Sequence, residues 1–329
     1  MRSLHNILLT GGAGFIGSHL ADALLARSDL SQLVILDALT YAGKKENLQN
    51  ALRDPRCHFV HGNILDQKLV ASLFQKNDFS GVFHLAAESH VDRSITDARA
   101  FSLSNILGTS DLLDHARRHS VPILHCSTDE VYGPTRFPEK FTENTPLRPS
   151  SPYAASKAAA DHLCLAAHRT HGQDLIIARP TNNYGPRQFP EKLIPRFIHH
   201  ALRDQPLPLF GSGTQIRDWL SVYDCAEGLI ATFLKGKPGR CYHIGAEYER
   251  SNLGLARLIL KQLGKPESLI KHVADRPGHD VRYALDTRLA KQQLHWQAKR
   301  HFKYAFNETV REIAAHESLD LAAQPHFPR

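Results

Sequence analysis

Short, continuous apolar runs recur through the first half of the chain: Asn6–Thr10, Leu33–Asp37, His58–His61, Gly81–Ala87, Ile123–Ser127 and Leu175–Ala178. Runs of this length without polar alternation suit strands buried on both faces of a parallel sheet. A helical pattern from about Phe15 to Arg27 separates the first two. Strands alternating with helices imply βαβ units and an α/β, Rossmann-type doubly wound parallel sheet. After about Pro180 turn residues crowd together, in Asn182-Asn183-Tyr184-Gly185-Pro186, Pro206–Pro208 and Gly211-Ser212-Gly213. This shift predicts a dinucleotide-binding domain over 1–180. A smaller C-terminal substrate-binding domain would follow over 181–329, part of which could return to the first domain. The tail after about Ser318 carries only a weak ordering signal.

Composition narrows the class. The 329 residues are 42% hydrophobic and 22% charged, ordinary for a globular chain with a sizeable core. The formal charge of +7 admits a nucleic-acid partner, but the basic residues are scattered and form no tract. Nucleic acid is therefore not expected as a partner. Some of the excess would instead meet anionic ligands such as pyrophosphates. Five widely spaced cysteines, with no CxxC pair, read as reduced thiols of a cytoplasmic protein and not as a metal site. The 21 histidines show no metal-binding spacing, and His199-His200 reads as the surface of a helix. No apolar run approaches the ~20 residues that span a bilayer, and the first strand begins too early for a signal peptide, so no membrane association is expected.

The first chemical signal is Gly11-Gly12-Ala13-Gly14-Phe15-Ile16-Gly17, with glycines at i, i+3 and i+6 between a strand and a helix. Glycines permit a tight turn and close approach of a pyrophosphate, which then faces the N–H groups of the helix start. Asp37 ends the next strand pattern. A carboxylate there accepts from ribose hydroxyls and repels a 2′-phosphate, so the cofactor is expected to be NAD and not NADP.

A second signal is Tyr153-Ala154-Ala155-Ser156-Lys157. The i, i+4 spacing puts phenol and ammonium on one helix face. A nearby cation favours phenolate, so the Tyr153 pKa is expected to fall toward neutrality and make it a base for a substrate hydroxyl. Ser127-Thr128-Asp129-Glu130-Val131-Tyr132-Gly133 follows the strand Ile123–Cys126 and so lies where open α/β sheets bind ligands. Adjacent carboxylates serve as acid and base if their environments separate their pKa values. The plainer reading is a helix N-cap cluster.

Taken together, Gly11–Gly17, Asp37 and Tyr153/Lys157 resemble the extended short-chain dehydrogenase/reductase superfamily. The triplet Thr128-Asp129-Glu130 is similar to that of its NDP-glucose 4,6-dehydratases, the enzymes of dTDP-glucose and their UDP-glucose relatives. The likeness runs through nearly the whole chain. It takes in Asp37–Gly43, Leu85–Ser94, Asn182–Pro195, Gln215–Trp219 and Asp275–Asp280. Asn63 stands where that family usually has Asp, and Ser104 where it has Thr.

The resemblance implies a hydro-lyase of deoxysugar biosynthesis that uses NAD and forms a homodimer. Its expected substrate is dTDP-glucose, with UDP-glucose, or a sugar-nucleotide 4-epimerase or decarboxylase reaction, as alternatives. It implies Thr128, Asp129, Glu130, Tyr153 and Lys157 as catalytic residues. Gly11, Gly14, Phe15, Ile16, Gly17, Asp37, Leu39, Thr40, Asn63, Ile64, Leu85, Ala86, Ala87, Ser104 and Asn183 would hold the cofactor together with Tyr153 and Lys157. Ser89, Thr128 and Asn182 would touch the hexose. Lys192, Leu193, Pro208, Leu209, Phe210, Arg217, Asn252, Arg276 and His279 would hold the nucleotide and its diphosphate.

Overall fold

The apolar runs of the first half lie side by side. In the computed structural model, which describes residues 2–323, the first half folds as β1 (Asn6–Thr10), α1 (Phe15–Leu25), β2 (Gln32–Asp37), β3 (Cys57–His61), α2 (Gln67–Lys76), β4 (Gly81–His84), α3 (Val91–Thr96), α4 (Ala98–Phe101), α5 (Gly108–Arg118), β5 (Ile123–Cys126), α6 (Pro152–His171) and β6 (Leu175–Pro180). The second half adds β7 (Asn182–Tyr184), α7 (Leu193–Leu202), β8 (Leu207–Phe210), β9 (Ile216–Ser221), α8 (Val222–Lys235), β10 (Cys241–Ile244), β11 (Glu249–Ser251), α9 (Asn252–Leu263), β12 (Ile270–Val273) and α10 (Phe302–Ala323).

Seven strands form one parallel sheet in the order β10-β6-β5-β4-β1-β2-β3. The chain runs outward from β1 in both directions, so the order reverses beside β1, and ligands of such sheets bind at that reversal. One face is covered by α1 and α8 around Leu9, Leu24, Ile35, Leu229 and Phe233. The other is covered by α2, α5 and α6 around Leu8, Val34, Phe74, Leu112 and Cys164. A third core joins α7, α9 and α10 with β8 and β9 around Phe197, Trp219, Ile259 and Phe306.

Several boundaries differ from the sequence expectation. β4 stops at His84 and not at Ala87, because its neighbour β1 ends at Thr10, the residue paired with His84. Beyond that point the chain leaves the sheet and becomes free to line a site. β10 and α8, from beyond residue 181, return to the large sheet. α1 ends at Leu25, two residues early. α10 continues past Ser318 to Ala323, and the remainder of the tail lies outside the described residues. All five cysteines are buried free thiols. Among the described residues no helix is long and apolar enough to cross a membrane.

Candidate active site

A cavity of about 510 Å³ opens at the carboxyl ends of β1, β2, β4, β5 and β6. One end is the glycine turn. Gly11 has φ +73°, and a Cβ there would lie 2.5 Å from the Ala86 backbone nitrogen. A Cβ on Gly17 would lie 2.1 Å from the Gly11 carbonyl oxygen. Both positions are closed to any side chain, so turn and helix meet backbone to backbone. α1 starts on Gly14 with no side-chain cap, and Gly14, Phe15, Ile16 and Gly17 line the cavity. The helix therefore presents its first N–H groups to whatever lies there.

Asp37 closes β2 beside this turn. Its Oδ2 accepts from the Ala13 N–H and its Oδ1 from the Leu39 N–H, each at 2.8 Å. These bonds fix the carboxylate, while burial pushes its pKa upward. Thr40, Asn63, Ile64, Leu85, Ala86, Ala87 and Ser104 also line the cavity. Leu39 does not: at φ +48° its side chain packs on the first core, so only its backbone serves the loop.

The reacting end lies where β5 gives way to a 3-10 turn, Asp129–Tyr132, capped by Thr128. Thr128 Oγ1 accepts from the Glu130 N–H at 3.3 Å and donates to Asp129 Oδ1 at 3.2 Å. Burial, reinforced by the Glu130 charge, pushes Asp129 up to about 8. Burial also raises Glu130, but Arg217, Arg276 and Lys192 oppose the rise. The two carboxyls are neighbours in sequence yet face different sets of charges. The N-cap reading holds for Thr128 and coexists with the acid pair.

Tyr153 and Lys157 sit in the first turns of α6, which is capped by Ser151 with Pro152 at its start. Both line the cavity. The expected fall in the Tyr153 pKa is not found: burial and the Glu130 charge push it well above its ordinary value, with the Thr128 hydroxyl opposing. Lys157 Nζ donates to Cys126 O at 2.7 Å and lies 3.4 Å from His125 Nε2.

Ser89, Asn182, Asn183 and Lys192 complete the cavity wall. Lys192 Nζ donates to Ser89 O at 3.1 Å. The side-chain oxygens of Asn182 and Asn183 are buried without a protein partner.

The other proposed nucleotide residues lie outside this cavity, on the start of α7, β8, β9, the start of α9 and the segment 275–280. Pro208 and Phe210 share one face of β8, and the Phe210 ring stands edge-on to His279 at 6.4 Å. Asn252 is buried, its N–H donating to Gln215 O at 3.0 Å. Leu209 points the opposite way into the third core, as β-strand alternation requires, and Leu193 packs on that core too. The Leu209 side chain is not free for a ligand, whereas that of Leu193 is only half-buried. Arg217 donates to Ile216 O at 2.7 Å and to Asp280 O at 2.9 Å, and its guanidinium stacks 4.1 Å above the Tyr283 ring. It reaches the site by its charge on Asp129 and Glu130. Arg276 donates to Asp92 at 2.9 Å and leaves its Nε buried without a partner.

The structure also brings in residues that the sequence reading assigned no role: Tyr41, Ser127, Gln188 and Phe189. Tyr41 and Phe189 meet edge to face at 5.6 Å, and Arg93 lies 3.8 Å over the Tyr41 ring. Each belongs to a segment already singled out, but only the fold shows which members face inward.

Fold and site together define an enzyme of the extended short-chain dehydrogenase/reductase class. The sequence profile described as GDP-mannose 4,6 dehydratase matches residues 8–313, and the chain belongs to that family. It is 45% identical over 95% of its length to a dTDP-glucose 4,6-dehydratase of Actinoplanes sp., covering 98% of that protein. It is 42% identical to the protein of the same name from Escherichia coli, with 92% of each chain covered. The structure of a Streptomyces venezuelae dTDP-glucose 4,6-dehydratase with NAD bound superposes with a TM-score of 0.91, at 42% identity, covering 95% of this chain and 98% of that one. A UDP-glucuronic acid 4-epimerase from Bacillus cereus, 30% identical over 94% of this chain and 99% of its own, still gives 0.89. Backbone shape is thus shared across two reactions, and the site residues must discriminate between them.

Proposed function

We propose that the chain is an NAD-dependent dTDP-glucose 4,6-dehydratase, which converts dTDP-glucose to dTDP-4-keto-6-deoxyglucose with loss of water. The observation that carries this reading is the Asp129–Glu130 pair. Burial and the adjacent charge raise the pKa of one carboxyl to about 8, and its neighbour is backed by three cations. An elimination needs an acid and a base side by side, whereas an epimerase has no leaving group to protonate.

NAD fits the glycine turn, where any Cβ would collide with backbone, and the fixed carboxylate of Asp37 fits its ribose. Bound there, NAD would supply the hydride acceptor for oxidation at C4 and the hydride donor for reduction at C6. The chain's own residues move the protons. Tyr153 takes the proton of the 4-hydroxyl as phenolate, a form that burial and Glu130 disfavour and that the positive charge of a bound NAD would favour, with Thr128 bonded at the same oxygen and Lys157 one helical turn away. The 4-ketone acidifies the hydrogen on C5, and Glu130 removes it. Asp129 gives its proton to the 6-hydroxyl, which departs as water. Glu130 then returns its proton to C5. The proton gained by Tyr153 equals the one spent by Asp129, so the site ends as it began once the two are exchanged.

Ser89 and Asn182 hold the hexose, and Lys192, Phe210, Arg276 and His279 hold the nucleotide diphosphate. The family resemblance supports a cytoplasmic homodimer as part of this reading, and the five buried free thiols fit a reducing compartment. Incubation of the purified protein with dTDP-, UDP- and CDP-glucose separately, followed by mass spectrometry, tests the assignment. Loss of one water from the dTDP sugar is the expected result. Loss from another base alone, or none, would overturn it.

A further inference from the structure

Behind Tyr153 and Lys157 lies a group of side chains that the proton transfers above do not use. His84 on β4, His125 on β5, Asp161 on α6 and Arg179 on β6 are all buried. Polar groups at such depth are kept only where they are paired or do work. Asp161 Oδ2 accepts from Arg179 Nε at 2.9 Å, but Oδ1 has no hydrogen-bond partner. His125 Nε2 lies between two groups, 3.4 Å from Lys157 Nζ and 3.6 Å from that free Oδ1. Its Nδ1 has no partner, and the ring stands 5.4 Å from His84. His84 is satisfied on both nitrogens, by Thr10 Oγ1 at 2.8 Å and Thr109 Oγ1 at 3.0 Å.

Burial, helped by the Lys157 charge, keeps the His125 ring neutral. A neutral imidazole has one N–H and one lone pair. With the proton on Nε2 it would face Asp161 Oδ1 at 3.6 Å, beyond hydrogen-bond reach, and would turn a donor toward the Lys157 ammonium. With the proton on Nδ1, Nε2 gives that ammonium a second acceptor beside Cys126 O. A buried cation short of acceptors is the costlier defect. Geometry therefore selects the Nδ1–H form.

We propose that His125 is a positioning residue: its Nε2 lone pair accepts from Lys157 Nζ and holds that ammonium, charged, one helical turn from Tyr153. The inference rests on the role given to Tyr153 and Lys157 under the proposed function. The titratable and charged groups around Lys157 are His125 and Cys126 from β5, His84 from β4, Arg179 from β6, and Tyr153, Asp161 and Cys164 from α6 itself.

Two measurements on the full chain test it. In protein labelled with 15N-histidine, two-bond proton–nitrogen spectra read the tautomer, and the His125 signals are identified by their loss in His125→Gln. The Nδ1–H form is expected, and an Nε2–H form overturns the proposal. The second follows C4 oxidation of dTDP-glucose by the absorbance of reduced nicotinamide, in an Asp129→Asn background that removes the titration of that carboxyl. His125→Phe is expected to shift the alkaline limb down by about one pH unit and to slow oxidation about tenfold with KM unchanged. His125→Gln, whose Oε1 reaches the place of Nε2, restores the limb. An unmoved limb in His125→Phe overturns the proposal. If the Asp129→Asn parent itself fails to oxidise C4, the assigned reaction is at fault, and the tautomer decides the inference alone.

Discussion

Thr128 Oγ1 donates to Asp129 Oδ1 at 3.2 Å, and the other carboxyl oxygen, Oδ2, is buried with no protein partner. A proton on Asp129 belongs on that free oxygen, and under the proposed function Oδ2 is then the donor to the leaving hydroxyl. Asp129→Asn keeps the shape and the acceptor for Thr128 but cannot give up a proton. C4 oxidation should continue while water loss slows by roughly 10²–10⁴-fold. Reduced nicotinamide should then accumulate, visible by absorbance, with little dehydrated product by mass. Wild-type turnover would remove Asp129 from the acid role.

Glu130→Gln should stall at the same stage for the opposite reason, because the C5 proton has no base. Glu130 also contributes to the upward push on Asp129 and Tyr153. Removing its charge should therefore lower both, and the Tyr153-dependent oxidation should begin at lower pH. A pH profile of C4 oxidation in this variant checks the direction.

The pH dependence of dehydration follows from Asp129. Its pKa is raised to about 8, so the acid is protonated below that value and lost above it. Dehydration should fall as pH rises through about 8, and this limb should vanish in Asp129→Asn. Stability has the same sign. Between the ordinary carboxyl value and about 8 the unfolded chain has released this proton and the folded chain has not, so burial costs more as pH rises. Thermal melts of Asp129→Asn should lose that contribution.

At the glycine turn, Gly17→Ala places a Cβ 2.1 Å from Gly11 O, where only backbone can yield. The expected loss is about 1–3 kcal/mol of stability, together with cofactor retention. Melting with and without added NAD separates the two. An unchanged melting temperature with bound NAD would contradict the cradle.

Asp37→Ser should release NAD more readily, by about tenfold, since a charge-assisted bond to ribose is worth ~1.5–3 kcal/mol. It should also narrow the preference over NADP by removing the repulsion of a 2′-phosphate. Titration of the apo protein with each cofactor reads both effects.

What was legible in the sequence was what is local. The glycine turn, Asp37 and the Tyr153/Lys157 spacing each lie within one strand–turn–helix unit, and the structure lines one cavity with them. What escaped depends on partners far along the chain. The end of β4 at His84 is set by where β1 runs out. Leu39 and Leu209 sit in segments that the resemblance singled out, but their side chains pack on the cores. The Tyr153 pKa was expected from the neighbouring ammonium alone, and burial with Glu130 reverses the sign. His125 read as one residue of an apolar strand, and its place between Lys157 and Asp161 exists only once β5 and α6 pack together.

The central claim is that one hydrogen leaves C4 and returns at C6 of the same sugar without meeting solvent. dTDP-glucose carrying deuterium at C4, turned over in ordinary water, tests this directly by NMR of the product. The account predicts deuterium at C6, with the 4-position a ketone. A product that lacks the label, or retains it at C4, would contradict the account.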